Sequence, residues 1–192
     1  MIKKKNFSLN IFFIYLLSTN IAVADLQKNL INKLTGTKTL SFSFKQNISN
    51  QNETGVCFIK YPLLMKCEYE DIKQKTIISD GRKIAVIKKK YKRIYIYPIK
   101  STPLFFILKK NEIINLIRNT KPIEVGSDLI KFEFIDTKNN KIKIFFDKNS
   151  LKFKGWETKD AYSNDVSFII SNLRTNELIS DNFFKIPKEE DL

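Results

Sequence analysis

Residues 102–110 read Thr102-Pro103-Leu104-Phe105-Phe106-Ile107-Leu108-Lys109-Lys110. A Thr followed by Pro predicts a helix with Thr102 as N-cap and Pro103 at the first position, where a missing N–H does no harm. Asn111-Glu112-Ile113-Ile114-Asn115-Leu116-Ile117 begins with another capping residue and repeats the helical pattern. Five consecutive large apolar residues, Leu104 to Leu108, point all round a helix. Such a helix needs apolar company on both sides, and packing on one sheet satisfies only one. It is either wholly buried, or a lid over the mouth of a curved sheet that touches a hydrophobic ligand.

Outward from this segment the chain reads as strands. Upstream, Leu40, Phe42 and Phe44 alternate with Ser41, Ser43 and Lys45, a half-buried strand. Stretches 54–61 and 64–70 form a hairpin about Pro62. Thr76–Ser79 and Lys83–Lys88 flank Asp80-Gly81, a two-residue hairpin signal. Tyr91–Tyr97 sets Ile94 and Ile96 on one face and Arg93, Tyr95 and Tyr97 on the other. Downstream come Leu129–Ile135, Lys141–Phe146, Leu151–Trp156, Val166–Ser171 and Phe183–Ile186. Turns rich in Asn, Asp, Lys and Ser separate most of them. Before the first strand, Leu26, Leu30, Ile31 and Leu34 recur at helical spacing, and Gly36 ends the pattern. The expected fold is mainly β (α+β). It is a curved, incompletely closed antiparallel barrel of about eleven strands, with a short N-terminal helix and a two-helix lid. Thirteen of the sixteen Phe follow residue 24. They can fill such a barrel or line a space for one apolar ligand, and periodicity does not separate the two.

The first 24 residues carry Lys3, Lys4 and Lys5, an apolar run from Ile11 to Leu17, and Ala22-Val23-Ala24 before Asp25. This is the pattern of a cleaved secretory signal peptide, and the apolar run is shorter than the roughly 20 residues that span a bilayer. No Cys follows the run, so no lipid anchor is expected. Residues 25–192 then form one exported domain. Loss of Lys3, Lys4 and Lys5 lowers the formal charge from +14 to +11. Of 34 basic residues only four are Arg, and the Lys are spread along the chain, so composition accounts for most of this charge. Export places Cys57 and Cys67, the only cysteines, in an oxidising compartment. On the two hairpin strands they stand opposite each other, which suits a cross-strand disulfide at a non-hydrogen-bonded pair. Two buried thiols are the alternative.

The chain has no His at all. That removes His-based triads, the common zinc sites and the usual acid–base shuttle. Two Cys alone make no zinc site or iron–sulfur cluster. No Gly-rich phosphate loop or G-x-S-x-G occurs. Neither an enzyme nor a metal or cofactor protein is expected. Lys–Tyr alternation at Tyr91-Lys92-Arg93-Ile94-Tyr95 is what any half-exposed strand shows, so no nucleic-acid partner is expected.

The motifs in order resemble the periplasmic outer-membrane lipoprotein carrier family (LolA-like). Thr39-Leu40-Ser41-Phe42-Ser43-Phe44-Lys45-Gln46 is similar to that family's first strand. Gly55, Ile59-Lys60-Tyr61-Pro62 and Glu68-Tyr69 are similar to its second hairpin. Ser79-Asp80-Gly81 matches a turn, Thr102-Pro103-Leu104 the start of its lid helix, and Phe183-Phe184-Lys185-Ile186-Pro187 its closing strand. The resemblance covers about residues 26–190. It implies a soluble periplasmic carrier, expected to be a monomer, whose cavity takes the acyl chains of lipoproteins. The cargo would come from an inner-membrane ABC exporter and pass to an outer-membrane receptor. About 0.8 kcal/mol per CH₂ favours hiding such chains from water, and no covalent chemistry is required. The expected cavity and lid residues are Phe42, Phe44, Tyr69, Leu104, Phe105, Phe106 and Leu108. Tyr61 stands where many members carry an Arg that ties lid to barrel, so it is the candidate latch. Cys67 stands where some carry Trp. Two rival readings are a related periplasmic lipid or glycolipid shuttle and a sensor domain that uses the same half-barrel to bind proteins. Continuous apolar space beneath residues 103–118 distinguishes a carrier from a sensor.

Overall fold

The computed structural model describes residues 23–49, 51–72, 74–135, 141–160 and 163–192. The expected leader lies outside the described residues, apart from 23 and 24, which open the first helix. That helix, α1 (23–36), buries Leu30 and Leu34 and ends at Gly36, as the spacing predicts.

The strands are β1 (Thr39–Ile48), β2 (Gln51–Lys60), β3 (Leu64–Tyr69), β4 (Lys75–Asp80), β5 (Lys83–Lys88), β6 (Arg93–Pro98), β7 (Glu124–Val125), β8 (Leu129–Ile135), β9 (Lys141–Asp147), β10 (Phe153–Lys159) and β11 (Asp165–Thr175). They form one antiparallel sheet in the order β6-β5-β4-β3-β2-β1-β11-β10-β9-β8-β7. Every neighbouring pair is consecutive in sequence except β1 and β11, so the first and last strands meet in the middle. The two free edges, β6 and β7, are themselves consecutive. Closure would require them to pair. Instead α2 (Leu104–Leu108) and α3 (Lys110–Asn119) occupy their connection, and the barrel stays open.

Two bulges bend the sheet. One lies in β10 between Phe153 and Gly155, the other in β11 opposite Ser41 and Ser43, where Asn172 has φ 53°. An extra residue turns the strand and increases its twist. Gly155 has φ +142°, and a Cβ there would lie 2.0 Å from the Phe168 carbonyl oxygen, so only glycine permits this approach. The main core lies on the concave face, between the sheet, α1 and the helical pair. A smaller cluster of Ile78, Ala85 and Ile87 lies on the convex face, covered by Ile94, Ile186 and Leu192.

Several local expectations need correction. Thr102 does not cap α2: its Oγ1 donates to the Ile99 carbonyl at 2.9 Å, ending the turn Ile99–Ser101, and Pro103 takes the N-cap position. Asn111 lies inside α3, which starts at Lys110 with Lys109 at its N-cap. The two hairpin loop residues are Gly81-Arg82, because Asp80 Oδ1 accepts from the N–H groups of Arg82 and Lys83, both at 2.8 Å. Phe183–Ile186 is not a strand. Ser180 Oγ accepts from Asn182 N–H at 3.3 Å and starts the 3-10 turn Asp181–Phe184. That turn lets neighbouring rings pack together: Phe183 meets Phe58 at 5.0 Å while Phe184 is buried. The eleventh strand is Glu124–Val125.

Candidate functional site: an apolar hollow beside the helical pair

The hairpin β2–β3 turns through a cis Tyr61–Pro62 bond. Cys57 and Cys67 pair across it and are disulfide-bonded, with Cα atoms 4.1 Å apart, the close spacing of a non-hydrogen-bonded pair. Just past the turn, the Leu63 N–H donates to the Leu108 carbonyl at 3.1 Å. Ser79 Oγ donates to the Leu63 carbonyl at 2.5 Å. The hairpin thereby satisfies a carbonyl that the C-terminus of a helix leaves without an internal partner.

Within α2, Phe106, Ile107 and Leu108 are buried, and Leu104 and Phe105 are half-buried. The Phe106 ring stacks on Phe134 of β8, with centroids 4.0 Å apart and planes 9° from parallel. Leu104 and Pro103 instead face a hollow of about 200 Å³. Its other walls are Gln46 and Ile48 of β1, Met65, Cys67 and Tyr69 of β3, Ile77 of β4, Trp156, Thr158 and Lys159 of β10, Asp160, and Val166 and Phe168 of β11. Four strands separate β4 from β10 in the sheet, yet both face this one space. Only a strongly curved sheet allows that.

A row of ring contacts backs the wall formed by Tyr69, Phe168 and Trp156. Tyr69 meets Phe44 at 4.9 Å, Phe44 lies on Phe168 at 4.7 Å, and Phe168 lies on Trp156 at 4.0 Å. Gly55 makes room for Phe44, because a Cβ at Gly55 would lie 2.9 Å from that ring and 2.1 Å from the Glu68 carbonyl oxygen. One rim is polar. Tyr69 hydroxyl donates to Gln46 Oε1 at 2.8 Å, and Gln46 Nε2 reaches Glu53 at 3.4 Å. Lys75 Nζ pairs with Glu53 at 2.5 Å and stands 3.8 Å from the Tyr69 ring centroid. Burial, then the charges of Glu53 and Asp71, push the Tyr69 phenol above its ordinary value, so it stays protonated and donates.

Of the sequence-predicted residues, Tyr69 and Leu104 line the hollow, and Phe44 lies behind its wall against Tyr69 and Phe168. Phe106 and Leu108 seal α2 against the sheet. Phe42 lies to one side of this hollow, its ring 6.3 Å from Phe168, and lines a second, larger depression instead. Phe105 lies beside Lys109 Nζ, 5.3 Å from its ring centroid. Tyr61 is not part of the hollow. Lys110 Nζ of α3 stands 5.8 Å from its ring, and burial pushes its phenol upward. The tie between hairpin and α2 is the backbone bond from Leu63. Sequence reading missed Trp156, Phe168, Met65 and Ile77 as walls, and Gln46 as a rim.

The two helices are held differently. Gln27 Nε2 of α1 donates to the carbonyls of Ile117 and Thr120, at 2.7 and 2.8 Å. Lys110 Nζ donates to those of Thr35 and Thr37, at 3.1 and 2.8 Å. So α1 and the turn after it grip α3 at both ends, whereas α2 rests on apolar packing and the Leu63 bond. A larger depression of about 610 Å³ lies near the β11 bulge. Its lining mixes apolar side chains, among them Phe42, Phe58, Phe153 and Leu173, with Ser41, Ser43, Lys152, Lys154 and Arg174. Among the described residues no three His, Cys, Asp or Glu cluster to hold a metal ion, and no helix is long and apolar enough to cross a membrane.

An open antiparallel half-barrel with an apolar hollow beside a helical pair defines the class of protein. Residues 35–187 match the family described as outer membrane lipoprotein carrier protein LolA, and the chain belongs to that family. No curated protein matches it in sequence. Among solved structures, an uncharacterized conserved protein from Thermus thermophilus has the same fold, with TM-score 0.52 at 7% identity over 86% of this chain and 94% of that one. A LolA superfamily protein from Nitrosomonas europaea aligns with TM-score 0.41 at 9% identity, covering 83% and 97% of the two chains. The Pseudomonas aeruginosa MucA/MucB complex aligns with TM-score 0.49 at 9% identity, covering 86% of this chain and 62% of that one.

Proposed function

We propose that this chain is a periplasmic, non-enzymatic carrier that shields the acyl chains of lipoproteins as they travel to the outer membrane. The supporting observation is the apolar hollow walled by Leu104 and the stacked rings, beside a helix held mainly by apolar contacts. At about 200 Å³ it is smaller than the roughly 300 Å³ at which ligand pockets begin. Phe106, Ile107 and Leu108 fill the adjoining space themselves. Displacing α2 from Phe134 would extend the hollow along the concave face, and acyl chains would replace the helix as its apolar filling. Binding and lid opening are then one exchange, with water excluded from the interior in both states. The bonds of Gln27 and Lys110 make α3 the fixed part and leave α2 the moving one.

The test is release of triacylated lipoprotein from inner membranes into the soluble fraction by the exported chain. The expected result is stoichiometric release, reduced by Leu104→Asp, whose carboxylate would stand in the hollow. Release by neither the native chain nor any variant would sink the carrier reading.

A further inference from the structure

We infer that the concave face beyond the hollow is a site for an anionic headgroup, so that the chain takes, besides lipoprotein, a free acyl lipid carrying a phosphate-type group: an acidic lipid. This rests on the carrier reading for its apolar half. The cross-strand register supplies the rest. Cys67 pairs with Ile77, Ile77 with Val86, and Val86 with Tyr95. Directly paired residues share a face, so an apolar row runs from the wall of the hollow, at Cys67 and Ile77, to the free edge at Tyr95. Val86 is half-buried and Tyr95 is 44% exposed, so this row is open to a guest.

Two residues along on the same face runs a second row. Lys75 pairs with Lys88, and Lys88 with Arg93. Three cations on adjacent strands, spanning about 10 Å, repel one another and destabilise the bare sheet. Carboxylates relieve only the ends: Glu53 pairs with Lys75 at 2.5 Å, and Glu189 lies 4.0 Å from Arg93. Among the described residues Lys88 makes no ion pair, and its Nζ stands 5.2 Å from the Tyr95 ring. The stretch 88–100 holds four further cations, Lys89, Lys90, Lys92 and Lys100, and no acid. Lys75, in turn, touches the Tyr69 ring that walls the hollow. An apolar tail in the hollow therefore places its head within reach of Lys88, where one anion would neutralise the middle of the row.

The experiment titrates the exported chain, at low salt, with palmitoyl lysophosphatidylglycerol, palmitoyl lysophosphatidylcholine and glycerol phosphate. The anionic lipid is expected to bind roughly tenfold tighter than the zwitterionic one, with added salt closing the gap. Lys88→Gln is expected to weaken the anionic lipid about fivefold and leave the zwitterionic one unchanged. Glycerol phosphate, lacking the tail, is expected to compete poorly. Equal affinity for both lipids, or equal loss of both in Lys88→Gln, overturns the headgroup site and leaves the carrier reading standing. Competition by glycerol phosphate as strong as by the lipid overturns the coupling of head to tail. Binding of neither lipid overturns both readings together.

Discussion

Phe106→Ala separates a lid from ordinary core. In the closed form the Phe106 ring is 6% exposed and lies 4.0 Å from Phe134. Burial of a Phe side chain is worth about 1.5–3 kcal/mol and a good ring pair about 0.5–1.5 kcal/mol more. The substitution therefore weakens the closed form by about 3 kcal/mol, rather more than a hundredfold in equilibrium terms. If α2 must leave Phe134 for a guest to enter, that loss falls on the empty state only. Affinity for a fluorescent acyl probe should then rise, by up to about a hundredfold. Thermal stability should fall by less than the full core penalty, because the open native form sets a limit on the loss. Fluorescence titration and thermal unfolding of the same sample measure both. A drop in stability by the whole of about 3–5 kcal/mol with affinity unchanged would refute the reasoning and make α2 plain core.

Four other outcomes follow from the same contacts. Replacing Cys57 and Cys67 by Ala opens a bridge with sequence separation 10, and loop entropy predicts about 2.7 kcal/mol lost, or roughly 5–10 °C in melting temperature. No change on thermal unfolding would show the bridge does not restrain the hairpin. Tyr69→Phe removes the donor to Gln46 Oε1 and should cost about 1 kcal/mol by chemical denaturation. Gly55→Ala puts a Cβ against the Glu68 carbonyl and the Phe44 ring, so misfolding or heavy destabilisation is expected, read from soluble yield. Hydrogen bonds from the Ser150 N–H and hydroxyl hold the Asp147 carboxyl below its ordinary value. Its contribution is present above the ordinary carboxylate range and fades as pH falls through the lowered value, and Asp147→Asn should flatten that part of the pH–stability curve.

Most of the strands were legible because alternation is their direct signature, as at Leu40, Phe42 and Phe44. The faces were legible only where period two holds. Phe153 and Trp156 are three residues apart and so read as opposite faces. The bulge at Gly155 puts both on the concave side, where they stack at 6.0 Å. The bulge at Asn172 likewise brings Leu173 back toward the core after Ile170. That is why Trp156 was missed as a wall of the hollow. Phe183-Phe184-Lys185-Ile186 carries the composition of a strand, but a Ser180 cap and a ready partner in Phe58 favour a turn. Glu124–Val125 is too short to show any period. The burial of α2 on more than one side was legible, since five apolar residues in a row demand two apolar surroundings. Its tie to the hairpin was not, because the Leu63–Leu108 bond joins backbone groups that every sequence possesses.

A photo-crosslinking residue in place of Leu104, in chain loaded with triacylated lipoprotein, tests the central claim most directly. Leu178, fully exposed and away from the hollow, is the control position. The account predicts crosslinks to the acyl chains from position 104 and none from position 178. Crosslinks from position 178 with none from position 104 would contradict it.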